Sequence, residues 1–559
     1  MDNVRLILIM SLGFILLLMY KAWQQDYGPK PQQPVASTST TAGQNLDNTS
    51  SSVPSISNSS SEEIPTITST TSPVELPVAK NTHPLASNSR IFVETDVFKL
   101  ELDTMGGDVR RIYLPNYPVA IDKPDEPMIL MNDTLPNLFV AQSGLVSKEG
   151  APTHLTAYTS EKSHYKLKDE SLDVKLSWQK AGIKVTKIYT FHKGSYVIGV
   201  KYIVENNSEN QWQGSLYGQF QRNKADLGGS RFLYTYMGGA ISSPDKLYEK
   251  ITFDHMQDGS FNKENRAPWK QGWAAMLQHY FVAAWIPNPD QPYKYETAVF
   301  SGGRNALRLK GPQKTIAPNQ QETFNITLYA GPKIQKKLGE LAPGLELTVD
   351  YGWLWFLAQP VFWMMSKIHQ WLGNWGWAII IITIMIKLAF FHLSATSYKS
   401  MANMRRLQPR LASLKERYGD DKARLNKAMM EMYKKEKINP LGGCLPIVVQ
   451  IPVFIALYWV LLDSIELRQA PFIFWIKDLS TQDPYYVLPV IMGITMFLQH
   501  HLNPAPVDPI QKKVMMALPF VFTIFFAFFP AGLVLYWVVN NILSISQQWV
   551  ITKKIDDTV

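Results

Sequence analysis

The chain has 559 residues, 46% of them hydrophobic, and carries a net charge of +9 from 55 Lys and Arg against 46 Asp and Glu. This length accommodates two or more domains, and the mean hydropathy of −0.10 averages a polar first part with a strongly apolar last third. The single cysteine, Cys444, excludes an internal disulfide, so a domain outside the cytoplasm must be stabilised by its core alone.

Apolar runs predict a polytopic α-helical membrane protein with six transmembrane helices, because crossing about 30 Å of hydrocarbon takes roughly 20 mostly apolar residues. The predicted spans cover residues 4–20, 377–397, 441–462, 485–499, 514–529 and 532–551. We expect residues 1–23 to remain as an uncleaved anchor, because bulky Tyr20 and Trp23 stand where a signal peptide would have small residues.

Residues 24–332 divide into two parts of contrasting composition. Residues 24–90 are rich in Ser, Thr, Pro, Asn and Gln with almost no aromatics, which predicts a disordered linker. Residues 91–332 are predicted to form a β-sandwich, because apolar residues alternate along 183–191 and a turn at 192–195 leads into a second strand. This part contains no metal-ligand cluster, G-x-S-x-G motif or phosphate loop, so we expect no cofactor, no metal and no catalytic residue.

Between the predicted β-domain and the second span, residues 333–376 are dense in Trp. Such density is typical of segments at a membrane surface, and we expect Pro360 to break this one into interfacial helices. Residues 398–440 carry many charges with apolar residues at helical spacing, which predicts a helical hairpin that turns at 419–421. Two interpretations stay open: a solvated coiled coil that only sets topology, or a docking arm for an incoming chain or a ribosome.

Charge predicts the orientation of the spans. The loop 398–439 holds twelve Lys and Arg against five acids, and beside spans the positive-inside rule explains such a loop better than nucleic-acid binding does. With this loop in the cytoplasm, residues 24–376 are periplasmic and spans three to six lie within 441–552. The tail 553–559 is then cytoplasmic, so both termini are expected inside.

Lys387 is predicted to lie near the middle of the second span (377–397), ten residues from either end. At 1.5 Å per residue it would be roughly 15 Å from each surface, where a lysine costs at least about 2.5–3.5 kcal/mol. No other predicted span has a central acid to pair with it, so we expect Lys387 to face a water-filled cavity suited to an acidic or polar visitor. Thr383 lies one turn away on the same face and is expected to extend the polar wall. The alternative is a locally hydrated lysine without a role.

The other spans contribute uncharged amides at Gln450, Asn540, Asn541, Gln547 and Gln548. Amides on membrane helices often form interhelical hydrogen bonds worth roughly 0.6 kcal/mol each. We therefore expect half or more of them to hold helices together.

Several motifs within residues 377–552 resemble, in order, the YidC/Oxa/Alb family of membrane insertases. They are MANM and LQP (401–404 and 407–409), NPLGGCLP (439–446), QIPVFIALY (450–458), LRQAPF (467–472), DPYY (483–486) and FPAGLVLY (529–536). The anchor, linker and β-domain resemble the Gram-negative form of the family, whose periplasmic domain is a β-supersandwich similar to sugar-mutarotase folds.

The resemblance implies a five-helix insertase core around a hydrophilic groove that is open to cytosol and lipid and closed toward the periplasm. A positive charge in the groove attracts the polar segment of a substrate, whose apolar segment slides along the third and fifth spans into lipid. By position, the implied groove residues are Lys387, Thr383, Gln450, Tyr536, Trp537 and Asn540, and the implied slide residues are Phe454, Met492 and Phe525. Enterobacterial members have Arg where this chain has Lys387 and Tyr where it has Trp537; lysine keeps the charge but not the guanidinium fork.

We therefore expect an ATP-independent insertase and chaperone for inner-membrane proteins, without enzymatic activity, acting alone or with the Sec translocon. The expected partners are nascent inner-membrane proteins, membrane lipid, the Sec translocon and, through the hairpin and tail, the ribosome and the signal recognition particle receptor. Nucleic acid is not expected as a substrate.

Two alternatives belong to other classes of function. A secondary transporter would use Lys387 as a substrate or proton site and predicts inverted repeats. A membrane-anchored periplasmic carbohydrate-active enzyme predicts clustered acid and base residues in the β-domain.

Overall fold

A computed structural model of the chain describes residues 85–224, 236–264, 266–300, 302–419, 421–436, 445–502 and 509–556. The predicted anchor, the predicted linker up to residue 84, Cys444 and the last three residues of the predicted tail lie outside these ranges.

Residues 90–332 are built mainly from β-strands along which buried and exposed side chains tend to alternate. The strands are β1 (Arg90–Glu94), β2 (Lys99–Asp103), β3 (Asp108–Ala120), β4 (Lys123–Met131), β5 (Phe139–Ser147), β6 (Thr159–Ser160), β7 (His164–Lys166), β8 (Ser171–Lys180), β9 (Ile183–His192), β10 (Val197–Asn206), β11 (Trp212–Asn223), β12 (Gly238–Ile241), β13 (Glu249–Ile251), β14 (Ala274–Leu277), β15 (Phe281–Pro287), β16 (Lys294–Phe300), β17 (Arg304–Lys310), β18 (Lys314–Ile316) and β19 (Gln320–Pro332).

The strands form two sheets that enclose a common hydrophobic core. The first sheet has the order β16-β17-β11-β5-β3-β2-β1-β7, with β4 beside β3 and β18 beside β11. The second has the order β13-β12-β14-β15-β19-β10-β9-β8-β6. Trp285 on β15 donates its indole N–H to Gln219 O on β11 over 3.1 Å, and core side chains of both sheets lie in one cluster. The prediction of a β-sandwich is confirmed.

The hairpin predicted around residue 194 is also confirmed. β9 and β10 are antiparallel, with Ile198 opposite Phe191. Gly194 has φ 68°, a backbone conformation that a residue without a Cβ adopts at no steric cost.

Most of the remaining described chain is helical. The α-helices, numbered in chain order, are α1 (Phe253–Gln257) and α2 (Ser260–Lys263) within the β-domain, then α3 (Gln335–Leu341), α4 (Trp355–Leu372), α5 (Trp375–Ala389), α6 (Phe391–Arg406), α7 (Gln408–Tyr418), α8 (Lys422–Lys435), α9 (Leu445–Asp463), α10 (Val487–Leu502), α11 (Pro509–Phe526) and α12 (Ala531–Asp556). α12 packs against α5 and α10, α4 packs against α5 and α9, and α10 packs against α11.

Each predicted span after residue 377 contains helix, but their lengths differ from the prediction. Within the described residues, no helix by itself combines the length and the apolar composition needed to cross a membrane. The bent pair α5–α6 meets the test when its two parts are taken together, and three shorter apolar helices cover Val449–Asp463, Val487–Leu502 and Lys513–Phe526.

The prediction of one continuous helix over residues 377–397 is wrong. α5 ends at Ala389 and α6 continues at an angle of 67°. Before the break, the buried side chains other than Thr383 are apolar and recur at helical spacing, whereas after it buried Ser394, Ser397 and Tyr398 are polar. A hydropathy window averages over both halves and does not register that the second half packs its polar face inward.

The expected break at Pro360 is also absent. α4 runs without interruption from Trp355 to Leu372 with Pro360 inside it. Packing of its buried side chains, Ala358 and Met365 among them, on α5 and α9 compensates for the backbone hydrogen bond that a proline removes. The opposite face exposes Trp355, Trp363 and Trp371.

The β-domain contacts the segment that follows α9. Arg468 Nη2 donates to Pro118 O over 2.6 Å, and His279 Nε2 lies 2.9 Å from Leu462 O. Tyr351 and Ser464 join their hydroxyls over 3.1 Å, and Ile465 belongs to the core cluster of the β-domain. This end of α9 is therefore held by contacts with the β-domain and with Tyr351 in the segment that follows it.

The predicted hairpin after residue 398 is present as two helices. α7 and α8 pack against each other, and Arg410 Nη1 lies 2.7 Å from Glu436 Oε1. The Asp421 side chain caps α8 by accepting from Arg424 N over 3.0 Å. The first arm begins later than predicted, because α6 ends at Arg406 and Pro409 stands in the first turn of α7, where a proline starts a helix well.

Candidate functional site

A cavity of about 340 Å³ lies among α5, α6, α9, α10, α11 and α12. Its described lining combines hydroxyl and amide groups with methionines and aromatic rings, and Lys387 is its one Lys, Arg, Asp or Glu side chain. A cavity with a single positive charge and many neutral polar groups suits a visitor that is polar or anionic.

Lys387 reaches this cavity from the last turn of α5, not from the middle of a helix as predicted. The side chain is half-buried, and Nζ donates to Ser544 Oγ on α12 over 2.7 Å. Within the described residues, no carboxylate forms an ion pair with it. Lys387 therefore lines a cavity, while its expected position in the middle of a helix is wrong because the helix ends early.

Gln450 and Asn540 form the second polar contact in the cavity. Gln450 Nε2 on α9 donates to Asn540 Oδ1 on α12, and both residues line the cavity together with Lys387. This pair joins two helices and also presents amide groups to the cavity.

The aromatic side chains implied by the family resemblance are contiguous. Phe454 on α9 stacks on Tyr536 with 6.0 Å between ring centroids, and it meets Trp537 edge-on at 4.5 Å. All three line the cavity. They form an aromatic part of the cavity lining.

The implied slide residues separate in the structure. Phe454 is partly buried and Phe525 on α11 is 42% exposed, so both present apolar surface. Met492 is wholly buried and packs in the helical core, because α10 turns that face toward its neighbours. The structure therefore does not place Met492 on a surface that a substrate could follow.

Thr383 does not extend the polar wall. Its side chain is 1% exposed, and its hydroxyl donates to Ile379 O over 2.6 Å on its own helix. A threonine that bonds back to the preceding turn satisfies its donor locally and has none left for a cavity.

The remaining amides hold helices together, as expected. Asn541 Nδ2 donates to Thr495 Oγ1 over 3.2 Å, and Gln548 Nε2 donates to Leu502 O over 3.1 Å, both from α12 to α10. Gln547 Nε2 donates to Phe391 O over 3.3 Å, which ties α12 to the start of α6.

Sequence reasoning missed Ser544 and Tyr398, which line the same cavity. Ser544 follows Asn540 by four residues and so lies on the same helix face, which is the signal that could have identified it. Tyr398 carries no such signal, because the break at Phe390 decides which way α6 faces.

The β-domain does contain clustered acid and base residues, as the carbohydrate-active alternative predicts. Asp108, His154 and Lys187 lie between the sheets, and each is at most 1% exposed. Lys187 Nζ donates to Gly106 O and Gly107 O, both over 2.9 Å. This cluster is enclosed between the sheets and is not open to a sugar from solvent.

No metal site emerges from the part of the chain that the structure describes: three or more His, Cys, Asp or Glu side chains do not converge there. The expectation of no metal and no cofactor stays a prediction.

Comparison with known proteins matches both halves of the chain. The family model described as "YidC periplasmic domain" matches residues 90–364, and the one described as "60Kd inner membrane protein" matches residues 367–558. A Nitrosococcus oceani protein named membrane protein insertase YidC is 48% identical over 566 residues, covering 100% of this chain and 99% of its own. A protein of the same name from Thioalkalivibrio sulfidiphilus is 47% identical over 570 residues, again covering 100% and 99%.

One solved structure, an active YidC insertase with its first transmembrane domain resolved, aligns with 83% of this chain and 93% of its own, with a TM-score of 0.39 and 16% identity. The two family models and the full-length relatives confirm the resemblance carried by the motifs of the last third. The chain belongs to the YidC family.

Proposed function

We propose that this chain is an ATP-independent insertase and chaperone that receives polar segments of inner-membrane proteins in the Lys387 cavity, alone or with the Sec translocon. The observation that carries the proposal is the cavity itself, whose single lysine has no acidic partner among the described residues and stands beside neutral polar groups. Full-length relatives named membrane protein insertase YidC support the same function.

The cavity and its surroundings suggest how such a protein lowers the barrier to insertion. A polar segment in the cavity exchanges water for hydroxyl, amide and ammonium groups instead of hydrocarbon. Its neighbouring apolar segment contacts exposed apolar side chains of α9 and α11, among them Ile451, Ile524 and Phe525. Transfer of that segment into lipid, worth about 25 cal/mol per Å² of buried apolar surface, drives the process without a nucleotide.

We further propose six spans with both termini in the cytoplasm and residues 24–376 in the periplasm. The basic loop 398–439 supports this orientation. The exposed basic side chains of α7 and α8 favour the hairpin as the docking arm for a ribosome or the signal recognition particle receptor, partners that carry many negative charges.

The test is complementation of an insertase-depleted cell with Lys387 variants, scoring insertion of a short-tailed model substrate by protease protection. We expect Lys387→Glu and Lys387→Ala to reduce insertion about tenfold or more, and Lys387→Arg to retain it, because arginine keeps the positive charge. Lys477→Ala serves as control, since Lys477 is exposed and does not line the cavity. Normal insertion of every substrate by both Lys387→Ala and Lys387→Glu would show that the cavity charge has no role.

A deletion of the β-domain separates this proposal from the carbohydrate-active alternative. If the helical region carries out insertion, most insertion activity should survive the deletion. If the protein is instead an enzyme whose active site lies in the β-domain, the deletion should abolish its function.

A further inference from the structure

Ser544 is the point where three helices meet around the Lys387 ammonium. It lies on α12 and is 3% exposed. Its Oγ accepts from Lys387 Nζ of α5 over 2.7 Å and donates to Asn540 O, one turn earlier on α12, over 2.7 Å. Tyr398 of α6 also hydrogen-bonds to the Ser544 side chain.

The hydrogen-bonding capacity of a serine fixes the direction of these contacts. A hydroxyl has one donor and two acceptor lone pairs. Because the Ser544 hydrogen is directed at Asn540 O, its oxygen can only accept from Lys387 and from Tyr398. An ammonium is a donor without acceptor capacity, so this oxygen suits it whether or not a substrate is present.

The same count leaves donors free on Lys387. An ammonium has three N–H groups, and Ser544 takes one of them. In the part of the chain that the structure describes, Lys387 has no ion pair, and its side chain lines the cavity of about 340 Å³. Two N–H groups therefore remain for a visitor, and a carboxylate can accept both.

We propose that Ser544 is a positioning residue: it holds the Lys387 ammonium on the cavity wall so that two donors stay directed at an incoming carboxylate. Without it, the flexible four-carbon stem of Lys387 leaves the ammonium free to turn away from the cavity wall. This assignment rests on the proposed function and adds to it the residue that positions the charge.

The experiment compares two substrates that differ in one group: a short-tailed model protein with a single Asp in its translocated segment, and the same protein with Asn there. Each is inserted by the full-length chain as wild type, Ser544→Ala, Ser544→Thr and Lys387→Ala, and protected fragments are quantified. Ser546→Ala is the matched control, because Ser546 is exposed and makes the same bond to its own helix, to Ile542 O over 2.9 Å, without lining the cavity.

We expect Ser544→Ala to lower insertion of the Asp substrate about tenfold and of the Asn substrate less than about twofold, the size of one lost hydrogen bond to a charged group. Ser544→Thr keeps the hydroxyl and should insert the Asp substrate as well as the wild type does. Ser546→Ala should leave insertion of both substrates unchanged. If Ser544 served packing alone, Ser544→Ala would lower insertion of both substrates equally and would reduce the abundance of the chain.

Equal loss of both substrates, or loss of neither, overturns the assignment. If Lys387→Ala lowers insertion of the Asp substrate more than that of the Asn substrate and Ser544→Ala does not, Ser544 is not the positioning residue. The role proposed for the cavity charge is then still supported. If Lys387→Ala affects insertion of the two substrates equally, the charge mechanism in the proposed function is wrong as well. If the Ser544→Ala protein does not accumulate, Ser544→Cys replaces it, because cysteine has a similar size and its sulfur is only a weak acceptor. We expect Ser544→Cys to lower insertion of the Asp substrate more than insertion of the Asn substrate. Equal insertion of the two substrates by Ser544→Cys would overturn the proposal.

Discussion

The β-domain and the helical region each bury a lysine, and the two lysines are held in opposite ways. Lys187, on β9, is wholly buried, and its three N–H groups are directed at Gly106 O, Gly107 O and Ser143 O. The rings of Tyr189 and Tyr202 lie 5.2 and 5.3 Å from the ammonium. Among the residues that the structure describes, Lys387 has one hydroxyl acceptor, Ser544 Oγ, and it lines a cavity.

Their electrostatic surroundings follow from these contacts. Burial lowers the pKa of Lys187 to about 7, and the nearby Asp108 carboxyl acts in the opposite direction. Asp108 itself is buried between Arg110 and Gln142, and burial raises its pKa. The β-domain therefore encloses these charged groups between its sheets and supplies Lys187 with backbone acceptors.

The comparison shows that the number of free N–H groups on a buried lysine distinguishes a lysine that stabilises the fold from one that can bind a ligand. A buried cation whose donors all meet protein acceptors has nothing to offer a ligand, and its contribution is to the stability of its own domain. A half-buried cation with two donors left beside a cavity can bind an anionic group. The same residue type thus serves the fold in one region and a proposed substrate in the other.

The largest effect is expected from Lys187→Ala. Removing this side chain leaves three buried carbonyls without their donor and takes away one of the two cations near Asp108, the other being Arg110, so the free energy of unfolding should fall by about 3–5 kcal/mol. Calorimetry of the purified chain measures this loss, with Lys201→Ala, an exposed lysine on β10, as control. Insertion per folded molecule should stay unchanged; a loss of insertion without a loss of stability would break the comparison.

The second effect is a pH dependence of stability that belongs to Lys187. Its pKa is about 7 in the fold and 10.5 ordinarily, so between these values the unfolded chain binds more protons than the folded one. Stability should therefore rise from pH 7 toward pH 10.5, by about 1.4 kcal/mol per pH unit at most. The cost of burying the charge should be fully present below pH 7. Unfolding of wild type and Lys187→Met at pH 7, 8 and 9 measures the difference; parallel slopes would contradict an enclosed lysine that loses its proton.

The smallest effect sharpens the other side of the comparison. Gln450 and Asn540 join α9 to α12 at the cavity wall, and a bond of this kind between helices is worth roughly 0.6 kcal/mol. A double-mutant cycle with Gln450→Ala and Asn540→Ala in unfolding measurements gives the coupling directly. A coupling of several kcal/mol would mean that the cavity wall is as tightly satisfied as the β-domain core.

Much of the fold could be predicted from local patterns. The alternation over 183–191 and the turn at Gly194 identified β9 and β10, because a strand with one buried face has a period of two. The order of the β-sandwich and the helical region also followed from composition. The break at Phe390 did not, since continuity of a helix depends on how both of its halves pack.

The candidate site was predicted unevenly for a related reason. Lys387 was found because a charge in an apolar run is costly wherever the chain folds. Ser544 was not predicted, and Thr383 and Met492 were predicted on surfaces that they do not reach. Serine, threonine and methionine occur both in cavity linings and in the packed interior between helices. Their roles depend on which helix face meets a neighbour.

The sequence alone determined that this protein has a β-rich domain followed by apolar helices, and that one lysine among those helices needs a polar surrounding. These conclusions rest on free energies of transfer, which depend on composition and period. Only the tertiary structure decided that Lys387 stands at a helix end beside Ser544, and that Lys187 is sealed between two sheets. Hydrogen-bond partners come from elements distant in the chain, so the number of donors left free is a property of packing.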